Sequence, residues 1–413
     1  MHRWQQKSLG EFIELKRGYD LPSRDRVPGE FPLVTSSGPT DFISQSKVKG
    51  PGVVTGRYGT VGQVFYVQKD FWPLNTALYV RDFRGNNPRF VYYFLHGIDW
   101  EKFNDKSGVP GINRNDVHRE PVFVPPLDQQ TQIVSVLGAL DDKIELNRRM
   151  NETLEAMAQA IFRDWFVDFG PVRRKLAGME DPAAIMGGLM PDPARATELA
   201  GLFPGGFGED GLPAGWSGGV ASDLIEFNPK EPLRRGVLAP YSDMSSLPTR
   251  GSCADAPVMR EFGSGMRFKN GDALLARITP CLENGKSAFV DMLSEGSVGW
   301  GSTEFIVLRS RRGTPPPLGY LLCRDPEFRA HAIQSMTGTS GRQRAQADSL
   351  TGWPMAIPPP TILSAFGDYV VPFFARISAN SAENRTLAEA RDYLLPRLMS
   401  GEVRVGEPEA EGA

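Results

Sequence analysis

Residues 129–168 read QQTQIVSVLGALDDKIELNRRMNETLEAMAQAIFRDWFVD, a stretch with one glycine and no proline. Apolar side chains recur in it at seven-residue intervals, at Ile133, Leu140, Leu154 and Ile161. A second apolar series runs four residues behind the first, and the two series are interrupted in the middle by Asn147 and Asn151. Seven-residue spacing is typical of a helix that packs along another helix in a coiled coil. At 1.5 Å per residue, we expect a rod of about 60 Å.

The same pattern returns at an offset of 233 in the numbering, where a second long helix is predicted over residues 361–401 with Asn380 and Asn384 in its middle. If a local twofold axis relates the two helices, they run antiparallel and the numbers of facing residues add to about 531. The facing pairs are then Asn147 with Asn384, Asn151 with Asn380, Leu154 with Ile377, Ile144 with Leu387, Trp165 with Phe366 and the mismatched Leu140 with Arg391. Paired buried amides favour one register, because a slipped helix would leave them without hydrogen-bond partners.

The sequence outside the helices is duplicated as well. Short matching stretches recur at offsets that grow steadily along the chain, as expected for a duplication with insertions in the second copy. The offset in the numbering is 212 between Trp4 and Trp216, 223 between Gly62 and Gly285, 227 between Asn75 and Ser302, 230 between Gly108 and Gly338, and 233 between Val124 and Ile357. Each copy holds strand-forming runs between glycines and prolines, which predicts an α+β domain in each.

These repeats give an α+β protein in which two duplicated α/β domains are joined by two long antiparallel coiled-coil helices. The predicted parts are a first domain at 1–127, a first long helix at 128–170, a linker at 171–214, a second domain at 215–360, a second long helix at 361–401 and an acidic tail at 402–413. The linker holds 8 glycines and 6 prolines in 44 positions, which favours an irregular connection with one short helix near 193–200.

Composition narrows the class of protein. A chain of 413 residues is too long for one ordinary hydrophobic core. Its composition, 40% apolar and 23% charged, is typical of a folded protein. The net charge is −3, yet residues 1–125 hold 17 Lys and Arg against 13 Asp and Glu, and residues 215–360 hold 16 against 14. The two domains are therefore mildly basic. No secretory leader or apolar run of about 18 residues is visible, which favours the cytoplasm and no membrane.

Motifs for catalysis are incomplete. The cysteines, Cys253, Cys281 and Cys323, have no zinc-ligand spacing, and Pro280 to Ser287 departs from a phosphate-binding loop by placing proline where the first glycine must turn. Neither double proline belongs to the acidic or amide Pro-Pro-aromatic loop with which adenine methyltransferases hold a flipped base. We therefore expect no catalytic residue, no metal and no cofactor in this chain.

Several short motifs occur together in the chain. They are GRYGTVG at 56–62, VPPLDQQ at 124–130, FRDWF at 162–166, ITPCLENGK at 278–286 and LLPRLMSG at 394–401. In this combination, and over nearly the whole length, the chain resembles the specificity subunits of type I restriction-modification systems. One departure is that Thr361, Ile362 and Leu363 follow the second double proline, where the first copy has Gln129 and Gln130, so equal docking of partners on the two helices stays open.

The resemblance implies two target-recognition domains that each read one half of a split double-stranded DNA site, held apart by the two helices. It also implies partners: two modification subunits that methylate adenine with S-adenosylmethionine, and restriction subunits that translocate and cut DNA with ATP and Mg. A spacer of this kind suits half-sites one DNA turn apart, roughly 34–36 Å.

Candidate DNA contacts are basic and amide residues that cluster among glycines, prolines and strands. In the first domain they are Lys47, Lys49, Arg57, Tyr58, Thr60, Asn75, Gly108, Asn113 and Arg114. In the second they are Arg277, Thr279, Asn284, Lys286, Thr337, Gly338, Arg342, Gln343 and Arg344.

Alternatives stay open for the residues and for the whole chain. Arg57 and Arg277 could be structural ion-pair partners, and each long helix could pack only on its own domain. The chain as a whole could be a non-catalytic scaffold or adaptor whose two copies bind protein, or an enzyme with an unrecognised site.

Overall fold

The computed structural model describes residues 4–104, 111–190, 192–339 and 341–405. The chain divides into two compact units, unit 1 formed by residues 1–145 with 385–413, and unit 2 formed by residues 146–384. The division falls inside both long helices, so each unit contains one α+β domain and a part of each helix.

The α+β domain of unit 1 consists of short strands and three helices, with 3-10 turns at Ser23–Asp25 and Glu101–Phe103. In chain order the elements are β1 Gln5–Ser8, α1 Leu9–Phe12, β2 Glu14–Arg17, β3 Pro28–Thr35, β4 Gly38–Ile43, β5 Gly52–Gly56, β6 Val64–Val67, β7 Trp72–Pro73, β8 Ala77–Asp82, α2 Pro88–His96, α3 Arg114–His118 and β9 Pro121–Val124. The first long helix, α4, follows at Leu127–Phe166.

After its part of α4, unit 2 continues with small helices and the second α+β domain. In chain order the elements are α5 Gly170–Leu176, α6 Pro182–Ile185, α7 Pro193–Leu202, β10 Ser217–Val220, α8 Ala221–Leu224, β11 Ile225–Phe227, β12 Leu238–Ser242, β13 Val258–Glu261, β14 Met266–Phe268, β15 Asp272–Ala276, β16 Ser287–Phe289, β17 Gly299–Gly301, β18 Phe305–Ser310, α9 Leu318–Arg324, α10 Pro326–Gln334, α11 Ala347–Thr351 and β19 Pro354–Ile357. The second long helix, α12, follows at Pro360–Ser400.

The main sheet has the same topology in the two domains, and the second sheet has one more strand in unit 2. The main sheet has the order β2-β8-β5-β6 in unit 1 and β11-β18-β15-β16 in unit 2. A second sheet has the order β4-β3-β7 in unit 1 and β13-β12-β17-β14 in unit 2, and each contains one parallel pair, β3 with β7 or β12 with β17. A separate antiparallel pair joins β1 to β9 and β10 to β19. The predicted duplicated α+β fold is confirmed.

Strand register tests the predicted offsets. Gln5 faces Val124 and Ser217 faces Ile357, which reproduces the offsets of 212 and 233. The offset of 227 that matches Asn75 to Ser302 is wrong by one position. At the end of the pairing between the two central strands, Gly56 faces Ala77 in unit 1 and Ala276 faces Phe305 in unit 2. Ala77 in β8 therefore corresponds to Phe305 in β18, an offset of 228 in the numbering. Ala77 and Phe305 are both fully buried, and a slip of one position would turn them to the opposite side of the sheet.

The two long helices pair in unit 2 through their asparagines. Asn147 Nδ2 donates to Asn384 Oδ1 at 3.0 Å and to Glu383 Oε2 at 2.8 Å, and Asn380 Nδ2 donates to Asn151 Oδ1 at 2.8 Å. Asn147 is 0% exposed and Asn380 is 1% exposed. The helices are therefore antiparallel here, and both asparagine pairs have numbers that add to 531.

Further along unit 2 the ring centroids of Trp165 and Phe366 lie 5.9 Å apart, and the numbers of these two residues also add to 531. In unit 1 Arg391, which is predicted to face Leu140, donates from Nη1 to Oδ1 of the adjacent Asp141 at 3.0 Å. The predicted spacer residues Leu154 and Leu387 are half-buried.

The segment 171–214 contains the predicted short helix near 193–200, as α7, but the rest of it differs from the predicted irregular linker. It forms most of α5 and all of α6 and α7, and side chains from all three helices enter the core of unit 2. Val172, Met186 and Leu199 are each 0% exposed. Asp181 and Asp192 cap α6 and α7 by accepting hydrogen bonds from backbone N–H groups, so the prolines that follow them start helices.

Among the described residues, α12 has the length and apolar composition of a membrane-spanning helix, with a mean hydropathy of 1.2 over 18 residues and 39% of that window buried. Phe366, Val370 and Phe374 on this helix belong to the hydrophobic core of unit 2. Part of its apolar face therefore packs inside the protein.

Candidate DNA-binding surfaces

A groove of about 720 Å³ in unit 1 brings several candidate residues together. It is lined by Lys16, Arg17, Gly18, Tyr19, Asp20, Arg57, Tyr58, Leu78, Gly111, Ile112, Asn113 and Arg114. Four cationic side chains and one carboxylate face this space, so the groove is electropositive. Cationic grooves of this kind attract phosphate groups.

The groove is built from residues 16–20, 57–58, 78 and 111–114, and backbone hydrogen bonds join Arg57 to two neighbouring segments. Arg57 follows β5, its N–H donates to Thr76 O at 2.9 Å, and its carbonyl accepts from Ile112 N at 3.0 Å. Gly56 is required at the end of β5, because an added Cβ would lie 1.7 Å from Thr60 O. Asn113 caps α3 by accepting a hydrogen bond from Asn115 N at 3.0 Å.

Arg57 is partly committed to the protein itself. Its guanidinium lies 4.4 Å from the ring centroid of Tyr58, donates to Tyr58 Oη at 3.2 Å and reaches Asn75 O at 3.5 Å. The Asn75 amide in turn donates to Asp20. Arg57 forms no ion pair among the described residues, so it keeps an uncompensated charge at the groove.

The other first-domain candidates lie outside the groove lining. Lys47 and Lys49 are exposed, and the Lys47 Nζ lies 5.1 Å from the ring centroid of Trp72. Thr60 is half-buried in the turn after β5. Gly108 lies outside the described residues.

Unit 2 repeats this backbone arrangement around Arg277. The Arg277 N–H donates to Glu304 O at 3.0 Å, and its carbonyl accepts from Ala345 N at 2.8 Å. The guanidinium donates to Gln346 Oε1 at 2.7 Å. Thr279 and Gln343 join the same cluster, because Thr279 N donates to Gln343 O at 3.1 Å.

Arg344 is neutralised within this cluster. Its Nε lies 2.9 Å from both carboxylate oxygens of Glu304, and these hydrogen bonds raise the pKa of the guanidinium. Thr337 pairs with Arg344 through two backbone hydrogen bonds, and Gly338 and Arg342 are exposed in the intervening turn.

Lys286 and Asn284 occupy a different turn. The Lys286 Nζ donates to Met244 O at 2.8 Å, so its ammonium is held by the protein, whereas Asn284 is exposed. Among the residues that the structure describes, no group of three or more His, Cys, Asp or Glu side chains is placed to hold a metal ion.

Sequence reasoning missed Lys16, Arg17 and Tyr19. They lie on β2 and just after it, where no motif marks them, and only the pairing of β2 with β8 carries them to the groove. The Lys16 Nζ lies 5.4 Å from the ring centroid of Tyr19, and Arg17 pairs with Asp20 at 3.1 Å.

His118, at the end of α3, supports the same region. Its Nε2 accepts a hydrogen bond from Leu15 N at 3.0 Å, and burial, with Arg114 nearby, lowers its pKa. The folded imidazole therefore takes up a proton at a lower pH than the imidazole of the unfolded chain, which is protonated near its ordinary pKa of about 6.5.

We expect the stability of unit 1 to fall as the pH drops below about 6.5, because the unfolded chain then binds more protons than the folded chain. The fall ends once the folded imidazole is also protonated. Thermal unfolding of wild type and His118→Gln at pH 7.5 and pH 5.5 measures this effect. The variant should lose less stability between these two pH values, and an unchanged difference would contradict the role of His118.

Comparisons with known proteins agree with this duplicated fold. Residues 1–156 match the family model described as the type I restriction modification DNA specificity domain. Over 98% of its length the chain is 25% identical to the whole of the type I restriction enzyme HindI specificity subunit of Haemophilus influenzae. It is also 24% identical to the MjaIX specificity subunit of Methanocaldococcus jannaschii, over 77% of this chain and 69% of that protein.

A solved structure has the same fold. The S subunit of a type I restriction-modification system from M. genitalium superimposes with a TM-score of 0.59 at 13% identity, covering 96% of both chains.

Proposed function

Because this chain belongs to the specificity subunits of type I restriction-modification systems, we propose that it selects the DNA sequence on which such a complex acts. Each α+β domain reads one half of a bipartite site in double-stranded DNA. The paired helices α4 and α12 set the separation of the two halves.

The electropositive groove of unit 1 is the observation that carries this proposal. Lys16 and Arg114 line it and form no ion pair among the described residues, so both charges are available to DNA phosphates. Phosphate contacts of this kind position a protein on a duplex, and base contacts from nearby loops then specify the sequence.

Catalysis lies with the partners in this proposal. Two modification subunits bind S-adenosylmethionine and methylate adenine, and restriction subunits use ATP and Mg to translocate and cleave. The chain itself contributes recognition without chemistry, and the complex acts in the cytoplasm. The names of the related proteins support this division of labour.

We expect Lys16→Ala/Arg114→Ala to weaken DNA binding by the chain with its modification subunit. Two lost phosphate contacts should reduce the slope of log affinity against log salt by about 1.8. Gel shifts at 50, 100 and 200 mM salt measure both quantities on a duplex that carries the methylated motif.

Lys7→Ala/Lys69→Ala is the matched control, since it removes two exposed lysines of the same unit that do not line the groove. The control should bind like wild type. An unchanged salt slope in the groove variant would remove the groove from the DNA surface. A protein scaffold would form the complex with the modification subunit and yet bind no duplex specifically.

A further inference from the structure

A tryptophan occupies the same fold position in both domains. Trp72 faces Leu33 in the parallel pair of β3 with β7, and Trp300 faces Tyr241 in the parallel pair of β12 with β17. The numbers of the two tryptophans differ by 228, the offset that also relates β8 to β18. They are 6% and 5% exposed, so both rings are buried, and each belongs to a small hydrophobic cluster of its domain.

A cationic side chain lies over each tryptophan ring, and the two cations come from different places in the two domains. The Lys47 Nζ lies 5.1 Å from the ring centroid of Trp72. The Arg260 guanidinium lies 5.9 Å from that of Trp300 and 4.8 Å from that of Tyr241. Lys47 precedes β5, whereas Arg260 lies on β13, so the shared feature is a cation over a ring rather than a shared stretch of sequence.

These two cations have no hydrogen-bond acceptor for their side chains within the described parts of the chain. Neighbouring arginines of unit 2 are satisfied: Arg267 donates to Glu231 O at 2.6 Å, and Arg344 binds the Glu304 carboxylate. Lys47 and Arg260 are both exposed. An aromatic face restricts a cation without consuming its N–H donors, so both side chains are oriented and still able to bind a ligand.

The surroundings of Arg260 fit DNA. It lies on β13, the edge strand of the four-stranded sheet β13-β12-β17-β14, where β12 and β13 form an antiparallel ribbon at the sheet edge. The face of this ribbon opposite Arg260 exposes Leu238 and Met259, each 59% exposed. A pocket of about 400 Å³ lies beside Arg260 and extends to Thr303. Thr303 precedes Glu304, whose carbonyl accepts a hydrogen bond from Arg277 N, so the pocket reaches the Arg277 cluster.

We propose that Arg260 and Lys47 are specificity-determining residues that each read a guanine in one half-site, held in place by Trp300 and Trp72. Arginine and lysine both donate to O6 and N7 of guanine in the major groove, and arginine does so with two parallel hydrogen bonds. Lysine offers a point charge, so discrimination should be stronger in the half-site read by Arg260. This inference rests on the proposed function.

The test uses the complete complex of this chain with its modification subunits, in cells whose DNA is sequenced for methylated adenine. Arg260→Ala should relax one guanine position of the second half-site by about tenfold to hundredfold while the first half-site stays unchanged. Lys47→Ala should relax a position of the other half-site, by less. Arg260→Lys should restore part of the preference.

Matched controls are Arg312→Ala for Arg260 and Lys69→Ala for Lys47, each an exposed cation of the same unit that makes no cation–ring contact with a tryptophan within the described residues. Both controls should leave the methylated motif intact.

Three results would overturn the inference and leave the proposed function standing. One is an unchanged motif in Arg260→Ala. Another is a uniform loss of affinity at every sequence with a smaller salt slope, which would assign Arg260 to phosphate. The third is loss of complex assembly, which would assign the ribbon to a protein partner. A wild-type complex that methylates no bipartite motif would instead contradict the proposed function.

Discussion

Replacing Arg309 with methionine is expected to lower the free energy of unfolding of unit 2 by about 3–5 kcal/mol. Arg309 Nε and Nη2 donate to the two carboxylate oxygens of Asp272, each at 2.7 Å, and Asp272 is 0% exposed. The variant would leave a buried carboxylate without its cation. Thermal unfolding, with amide hydrogen exchange in β15 and β18 to assign the loss to this sheet, measures the effect.

Protonation gives this prediction a pH dependence. Burial raises the pKa of Asp272, and the hydrogen bonds from Arg309 oppose that rise. Without Arg309 the pKa moves further up, so the carboxyl group is neutral at acidic pH and its burial costs less. The deficit of the variant should therefore be larger at pH 8 than at pH 5.

The duplication supplies a matched control at Arg81, which corresponds to Arg309 at the offset of 228 and pairs with Glu14. The side chains of Arg81 and Glu14 are 51% and 24% exposed, so water compensates for a broken pair. Arg81→Met should cost less than about 1 kcal/mol. Equal losses at the two positions would show that burial does not decide the strength of these pairs.

Four residues inserted after Asn147 in α4 alone should abolish methylation of the target motif and lower the melting temperature. The insertion advances the rest of the helix by about 6 Å and separates Asn151 from Asn380. Each orphaned buried amide costs about 1–3 kcal/mol, and the packing of Trp165 on Phe366 is lost as well. Calorimetry and methylation mapping of the reconstituted complex measure the two effects.

A second insertion of equal length between Glu383 and Asn384 restores the facing pairs on both sides. This double variant should regain stability and methylate a motif with a longer spacer. The same four residues placed between Gly205 and Gly206, where neither glycine has a neighbour within 4 Å of an added Cβ, form the control and should be tolerated. Full activity of the single insertion at the original motif would contradict the role of the asparagine register.

Much of the fold could be predicted from sequence because the two copies constrain each other. Trp4 with Trp216 and Val124 with Ile357 mark strand ends, and strand pairing reproduces both offsets. Sequence similarity is misleading near Asn75, because it aligns the threonine after Asn75 with the threonine after Ser302. The buried Ala77 instead fixes the strand register, which differs from that alignment by one residue.

Other features depend on the tertiary fold. Glycine and proline counts indicate a linker over 171–214, yet the apolar residues between them, such as Leu199, pack into the core. Lys16 and Arg260 carry no motif, and strand pairing or a tryptophan from elsewhere in the chain positions them. Conversely, Arg344 belongs to a basic sequence cluster of the kind that contacts DNA, yet its guanidinium is bound by the carboxylate of Glu304, which is distant in sequence.

The chain segments that form each unit determine the order in which the two units can be completed during synthesis. Unit 2 is one continuous segment, 146–384, and is complete as soon as Asn384 has left the ribosome. Unit 1 is synthesised first, yet it includes residues from Arg385 onward, and Leu398 joins the same core as Leu137. At about 5–20 residues per second, the nascent chain keeps this apolar seam uncovered for roughly 12–50 s. A product of premature termination before Arg385 would therefore carry a finished second domain and an unfinished first one.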